Sequence, residues 1–247
     1  MFSSFLPLLG AVIATVIDEH LTIYPLVPTE ANQGWNLELF DCSRVIPLHY
    51  HKIQRQFILV VDGSMDAVHG NEKTILRRGE ILQIEPGVEH ALVPEKKCRF
   101  FAIDLPGFHF PEDVFEDHPD QLFSWKGIDF SIPPLDEKYF QEKIEQTGYI
   151  VYGLISGEIT ENQWSVALLE IHDSPKHYHL IETEQFLVVN GVLDIEIDGV
   201  HKEMSAGESI AIHPRTVHQL KSARKEPVRV LCFNFPAFSL HDFYPID

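Results

Sequence analysis

No cluster of lysine and arginine is long enough to make a basic stripe, and cysteine is scarce. The chain has 247 residues, 19 of them Lys or Arg against 37 Asp or Glu, for a formal charge of −18. Phosphate backbones and anionic bilayers need the opposite surface, so nucleic-acid and membrane partners are not expected. Cys42, Cys98 and Cys232 are an odd number without C-x-x-C spacing, which excludes a disulfide framework and a zinc ribbon. They are expected to be small buried residues in a reducing, cytoplasmic compartment. Long apolar runs are also missing. The uncharged stretch 5–17 has no Lys or Arg before it, is interrupted by Pro7 and Gly10, and is too short to span a bilayer. Its β-branched part, 12–17, suits a buried strand.

What the sequence does have is 14 histidines and an internal repeat. The segment PLHYHKIQRQFILVVDGSM starting at Pro47 returns as PKHYHLIETEQFLVVNGVL starting at Pro175, an offset of 128. From His49 to His90 the match needs no gap, and 14 of 42 positions are identical to those from His177 to His218. Outside that window Tyr24 answers Tyr152, Trp35 answers Trp164 one residue out of step, and Pro106 answers Pro236 two out. Each unit holds short apolar runs such as FILVV and FLVVN between Gly, Asp, Asn and Pro turns, the pattern of many short strands. An all-β chain of two β-sandwiches or barrels follows, over 1–106 and 149–247. The intervening 107–148 reads as a linker that ends in a short α-helix after Pro133-Pro134, with Leu135, Tyr139 or Phe140, and Ile144 at helical spacing and a stop at Gly148.

Within a strand, His177-Tyr178-His179 sends both imidazoles to one face, close enough to meet one ion. The odd separation from His179 to Glu184 would reverse that face on an unbroken strand. A turn or bulge is therefore expected near 180–183, with Glu184 on the next strand. Gly191 closes a hairpin, and a later strand runs to His213-Pro214, a turn and His218. The resulting patterns, H-x-H-x4-E-x6-G and G-x6-P-x3-H, resemble the two motifs of the cupin superfamily of jelly-roll barrels. The resemblance covers both repeats and implies tandem cupin barrels in one chain, a bicupin, with metal at His177, His179, Glu184 and His218. Three imidazoles and a carboxylate suit Fe(II), Mn(II), Zn(II), Ni(II) or Co(II). The superfamily favours iron or manganese.

The N-terminal equivalents are His49, His51, Gln56 and His90, and the carboxylate has become an amide. Either that barrel holds metal more weakly, with a higher local charge on the ion, or it is a scaffold. Tyr50 and Tyr178 fall on the opposite strand face and read as packing residues. His213, where the first repeat has Glu85, is either an acid/base behind the ligands or a surface turn residue. The resemblance implies a metal-dependent enzyme acting on a small polar organic molecule. A dioxygenase is the first class, a sugar or keto-acid isomerase the second, and a noncatalytic small-molecule sensor the third. A monomer or homodimer is expected.

Overall fold

The computed structural model describes residues 15–28, 35–107 and 140–246. The chain divides into two compact units, one within Val12–Leu135 and the other from Asp136 on. In the N-terminal unit, β1 (Thr15–Asp18), β2 (Leu21–Val27), β3 (Asn36–Cys42), β5 (Arg55–Asp62), β8 (Ile81–Ile84) and β10 (Cys98–Leu105) form a six-stranded sheet in the order β1-β2-β3-β10-β5-β8. Facing it are β4 (Ile46–His49), β6 (Ser64–His69), β7 (Glu72–Arg77) and β9 (His90–Pro94), in the order β4-β9-β6-β7.

The C-terminal unit repeats this plan. Its six-stranded sheet is β11 (Glu142–Gln146), β12 (Tyr149–Ile155), β13 (Ser165–Ile171), β20 (Val228–Phe235), β15 (Thr183–Asn190) and β18 (Ser209–Ile212), in that order. The second sheet runs β17 (Val200–Ser205), β16 (Val192–Ile197), β19 (His218–Ser222), β14 (His177–Tyr178) and β21 (Tyr244–Pro245). Strands β11 to β20 match β1 to β10 one for one. All the pairings are antiparallel, and the jelly-roll reading of the repeats holds.

Each core fills the space between its two sheets. In one, Ile58, Val60, Met65, Ala67, Leu76, Ile84, Leu92 and Phe100 pack together. In the other, Phe186, Val188, Leu193, Ile195, Met204, Ile212, Leu220 and Val230 do so. The pair Ile58 and Phe100 has become Phe186 and Val230, which keeps one ring in each core and approximately conserves volume. The unbroken apolar runs FILVV and FLVV lie in central strands and are buried on both faces. All three cysteines are free and buried, and burial pushes the Cys98 thiol up to about 12.

Two expectations are corrected. The helix expected after Pro133-Pro134 is a strand over its described part: β11 pairs with β12 from Glu142↔Gly153 to Gln146↔Tyr149. Gly148 therefore turns a hairpin and does not end a helix. Its φ is +91°, and an added Cβ would lie 2.2 Å from the Asp173 carbonyl oxygen. Gly148→Ala should destabilise the C-terminal unit by about 1–3 kcal/mol, readable as a lowered denaturation midpoint. The second correction concerns 12–17: β1 is a strand, but Val16 and Ile17 are exposed, as an edge strand allows. The remainder of the apolar stretch, 5–14, lies outside the described residues. No helix among the described residues is long and apolar enough to cross a membrane.

Candidate metal centre

Strand pairing assembles the C-terminal site. β14 meets β19 so that His177 lies opposite His218. β15 runs between β18 and β20 and sets Glu184 beside Ile212 on one side and Asn234 on the other. Between β14 and β15 the chain turns through 179–182, which resolves the odd spacing at the expected place. His177, His179, Glu184 and His218 are 7%, 3%, 5% and 0% exposed, and one ligand atom from each lies within 4.8 Å of the others.

Backbone carbonyls fix the three rings. His177 Nδ1 is 2.9 Å from the Pro175 oxygen, His179 Nδ1 is 2.8 Å from the Asp242 oxygen, and His218 Nδ1 is 3.1 Å from the Thr216 oxygen. A carbonyl only accepts, so each Nδ1 carries the hydrogen, and in a neutral ring Nε2 is left with its lone pair. This is the outer support that metal-binding histidines use. Burial, then the neighbouring His218, lowers His177 to about 4, so that ring is neutral at physiological pH. Burial alone would raise Glu184, but His218, His179 and His177 outweigh it and hold the carboxyl below its usual range. Burial opposes a proton on His218 too, yet Glu184 raises that imidazole overall.

The donor set fits a cation. His179 Nε2, His218 Nε2 and Glu184 Oε2 are buried without a hydrogen-bond partner, although His218 Nε2 and Glu184 Oε2 are only 2.8 Å apart. Glu184 Oε2 is also 3.5 Å from His179 Nε2, so these buried atoms crowd one space without a well-aligned hydrogen bond among them, an arrangement that a cation would satisfy. Glu184 Oε1 is held from behind, 3.4 Å from Asn234 Nδ2 and 3.7 Å from Cys232 Sγ.

The segment after β20 supports the site in a way the sequence did not reveal. Ser239 caps the short 3-10 turn Leu240–Asp242, and the Asp242 carboxylate accepts the backbone N–H groups of Leu180, Ile181 and Glu182 at 2.9, 3.0 and 3.0 Å. Burial alone would raise Asp242, but those N–H groups outweigh it and hold the carboxyl low. Phe243 stacks on His177 with centroids 4.4 Å apart, and Tyr244 stacks on Tyr178 at 5.2 Å. Glu182, pushed up to about 8 by burial, accepts from the Ser239 N–H and Asn234 Nδ2 at 2.7 and 3.2 Å. His179, Glu182 and Asp242 also lie within ligand distance of one another, but these hydrogen bonds already use their facing groups. His213 is exposed in the turn after β18, where its carbonyl accepts from Thr216 N. It is outside the four-residue cluster.

The N-terminal copy brings His49, His51 and His90 within ligand distance. Their ring centroids are 5.0, 4.1 and 5.2 Å apart for the pairs 49/51, 49/90 and 51/90. The corresponding C-terminal separations are 5.0, 4.2 and 6.0 Å. Burial, then His49, lowers His90 to about 3. Gln56, 8% exposed, occupies the register position of Glu184. Tyr50 is buried, in keeping with a packing role.

Fold and site together define a duplicated jelly-roll chain with a three-histidine, one-glutamate donor set in one copy and three histidines in the other. The family model described as a cupin domain matches residues 37–104 and 166–234, more than half of the chain, and the chain belongs to the cupin family. Over 222 residues it is 23% identical to the quercetin 2,3-dioxygenase of Bacillus subtilis (strain 168), covering 71% of this chain and 65% of that enzyme. It is 27% identical over 66 residues to an uncharacterised protein of Methanocaldococcus jannaschii, covering 27% of this chain and 53% of the other. The chain thus spans less than two thirds of the length of these curated relatives. Among solved structures, Lactobacillus farciminis oxalate decarboxylase in a formate complex matches with a TM-score of 0.41 at 12% identity, over 96% of this chain and 87% of that one. A Bacillus subtilis oxalate decarboxylase structure concerned with its Mn(II) centres matches at 0.40 and 14%, over 96% and 78%.

Proposed function

We propose that this chain is a metal-dependent enzyme that acts on a small polar organic molecule in the C-terminal barrel, with oxidation by dioxygen as the reaction class. His177, His179, Glu184 and His218 would hold one divalent ion, with Fe(II) or Mn(II) first and Zn(II), Ni(II) or Co(II) as alternatives, since the set offers nitrogen and oxygen and no thiolate. The observation that carries the reading is the convergence of buried, unpartnered Nε2 and Oε2 atoms on one point. The named activity of the Bacillus subtilis relative supports dioxygen chemistry as the class to test.

When bound, the ion supplies Lewis acidity and, if redox-active, a one-electron route to dioxygen. The protein's own part is positional. The carbonyls of Pro175, Asp242 and Thr216 hold the three rings in one tautomer, and Asn234 and Cys232 hold the far oxygen of Glu184. Phe243 covers one face of His177 and keeps water from that side.

Oxygen uptake is the test. Protein reconstituted with Fe(II) or Mn(II) is assayed against quercetin and a panel of small hydroxy and keto acids, in air and under argon. Metal-dependent uptake that Glu184→Gln abolishes supports the proposal. Turnover that continues under argon overturns the dioxygenase class in favour of an isomerase, and a chain that binds no metal points to a noncatalytic sensor.

A further inference from the structure

The acid and the amide at the metal end of each barrel have changed places between the two copies. On the C-terminal ladder Glu184 of β15 pairs with Asn234 of β20. On the N-terminal ladder Gln56 of β5 pairs with Asp104 of β10. The next strand follows suit, with Ser165 beside Asn234 and Asn36 beside Asp104. Gln56 Nε2 donates to Asp104 Oδ1 at 2.9 Å and Asn36 Nδ2 donates to Asp104 Oδ2 at 3.3 Å. Asn36 and Asp104 are each 1% exposed. The carboxyl group missing from position 56 has therefore not left the barrel; it sits one strand away.

This arrangement orients Gln56. A carboxylate whose two oxygens both accept needs the NH2 end of the amide, so the carbonyl oxygen of Gln56 is the opposite end. In the C-terminal copy Asn234 holds Glu184 Oε1 and leaves Oε2 to the histidines. The shared register therefore predicts the Gln56 carbonyl oxygen at the place of Glu184 Oε2. An independent sign of a ligand comes from His90, which is 0% exposed. Its Nδ1 donates to the Val88 oxygen at 2.9 Å, and its buried Nε2 has no hydrogen-bond partner. His49 Nδ1 is likewise committed to the Pro47 oxygen at 2.7 Å.

We propose that Asp104 is a positioning residue for the N-terminal metal set: by holding the NH2 of Gln56 it aims the Gln56 amide oxygen, as a neutral fourth donor, at the divalent ion that His49, His51 and His90 would hold.

The test is a Co(II) titration of the full chain, read by visible absorption and calorimetry, in a background carrying His179→Ala and Glu184→Ala so that only the N-terminal site reports. The parent background should bind one Co(II). Asp104→Asn should weaken binding at least about tenfold, because an amide partner lets Gln56 turn its NH2 toward the ion. The exchange Gln56→Glu with Asp104→Asn rebuilds the C-terminal pair and should bind at least about tenfold tighter than the parent, with an altered Co(II) spectrum. It keeps one acid and one amide in place, so it decides the matter if Asp104→Asn alone does not fold. No Co(II) binding in the parent, or equal affinities across the series, overturns the proposal. The proposed reaction stands or falls separately, on metal and turnover at the other site in the unmodified chain.

Discussion

Glu184→Gln should lower the divalent-ion affinity of the C-terminal centre by roughly 10²- to 4 × 10³-fold, because removing one charged partner from a buried ionic set costs about 3–5 kcal/mol and each 1.4 kcal/mol is tenfold. The change is isosteric, so the fold should be kept. Its effect goes beyond the lost charge. Asn234 Nδ2 donates to Glu184 Oε1, and in the variant that donor still requires an oxygen. The new NH2 would then face His218 and His179, presenting hydrogens where a cation needs a lone pair. Adding Asn234→Asp with Glu182→Gln should reverse the amide and recover part of the affinity, since the site would then copy Gln54, Gln56 and Asp104. Metal titrations of the single and triple variants check this, with melting curves of the metal-free proteins as the control for folding. Equal affinity in Glu184→Gln and the unmodified chain would remove Glu184 from the ligand set.

Asp242→Ala should be the most damaging substitution outside His177, His179, Glu184 and His218. It strips three consecutive backbone N–H groups of their acceptor, and a hydrogen bond to a charged group contributes about 1.5–3 kcal/mol. Water reaches part of the exposed 180–181 segment, so the expected loss is about 2–4 kcal/mol and not the full sum. The loop carries the chain from His179 to Glu184, and metal affinity should fall by about 10- to 100-fold with it. The His179 ring keeps its own support, because its acceptor is the Asp242 backbone oxygen, which alanine retains. Asp242→Asn should lie between the two. Denaturation of the C-terminal unit and a metal titration read the two effects separately; an unchanged titration would reduce the segment after β20 to a cover.

The cluster of His177, His179, Glu184 and His218 was legible in the sequence because strand geometry is regular. Alternation placed His177 and His179 together, and the odd step to Glu184 announced the turn through 179–182. The repeat also showed Gln56 opposite Glu184. It did not show Asp104 opposite Asn234, because the connection 95–97 is lengthened to 223–227 between β9 and β10 and their counterparts β19 and β20. That insertion shifts the offset by two after the last histidine, the same slip seen between Pro106 and Pro236. Following it through β10 would have exposed the exchanged acid. Asp242 left no such trace: it lies beyond the repeat, and its partners are backbone N–H groups, which have no sequence signature. The stretch around Ile144 misled for another reason. Apolar spacing in a short, mostly polar segment suits either a helix or an exposed edge strand, and pairing with β12 decides it.

Whether His177, His179, Glu184 and His218 hold metal is read directly by elemental analysis of the chain, purified without a histidine tag and reconstituted with Fe(II) or Mn(II), beside Glu184→Gln under the same dialysis. The unmodified chain should retain one tightly held ion that Glu184→Gln loses, with any second ion held at the N-terminal histidines and unaffected by the change. Full-length, folded protein that retains no transition metal, or the same metal content in both proteins, would contradict this assignment.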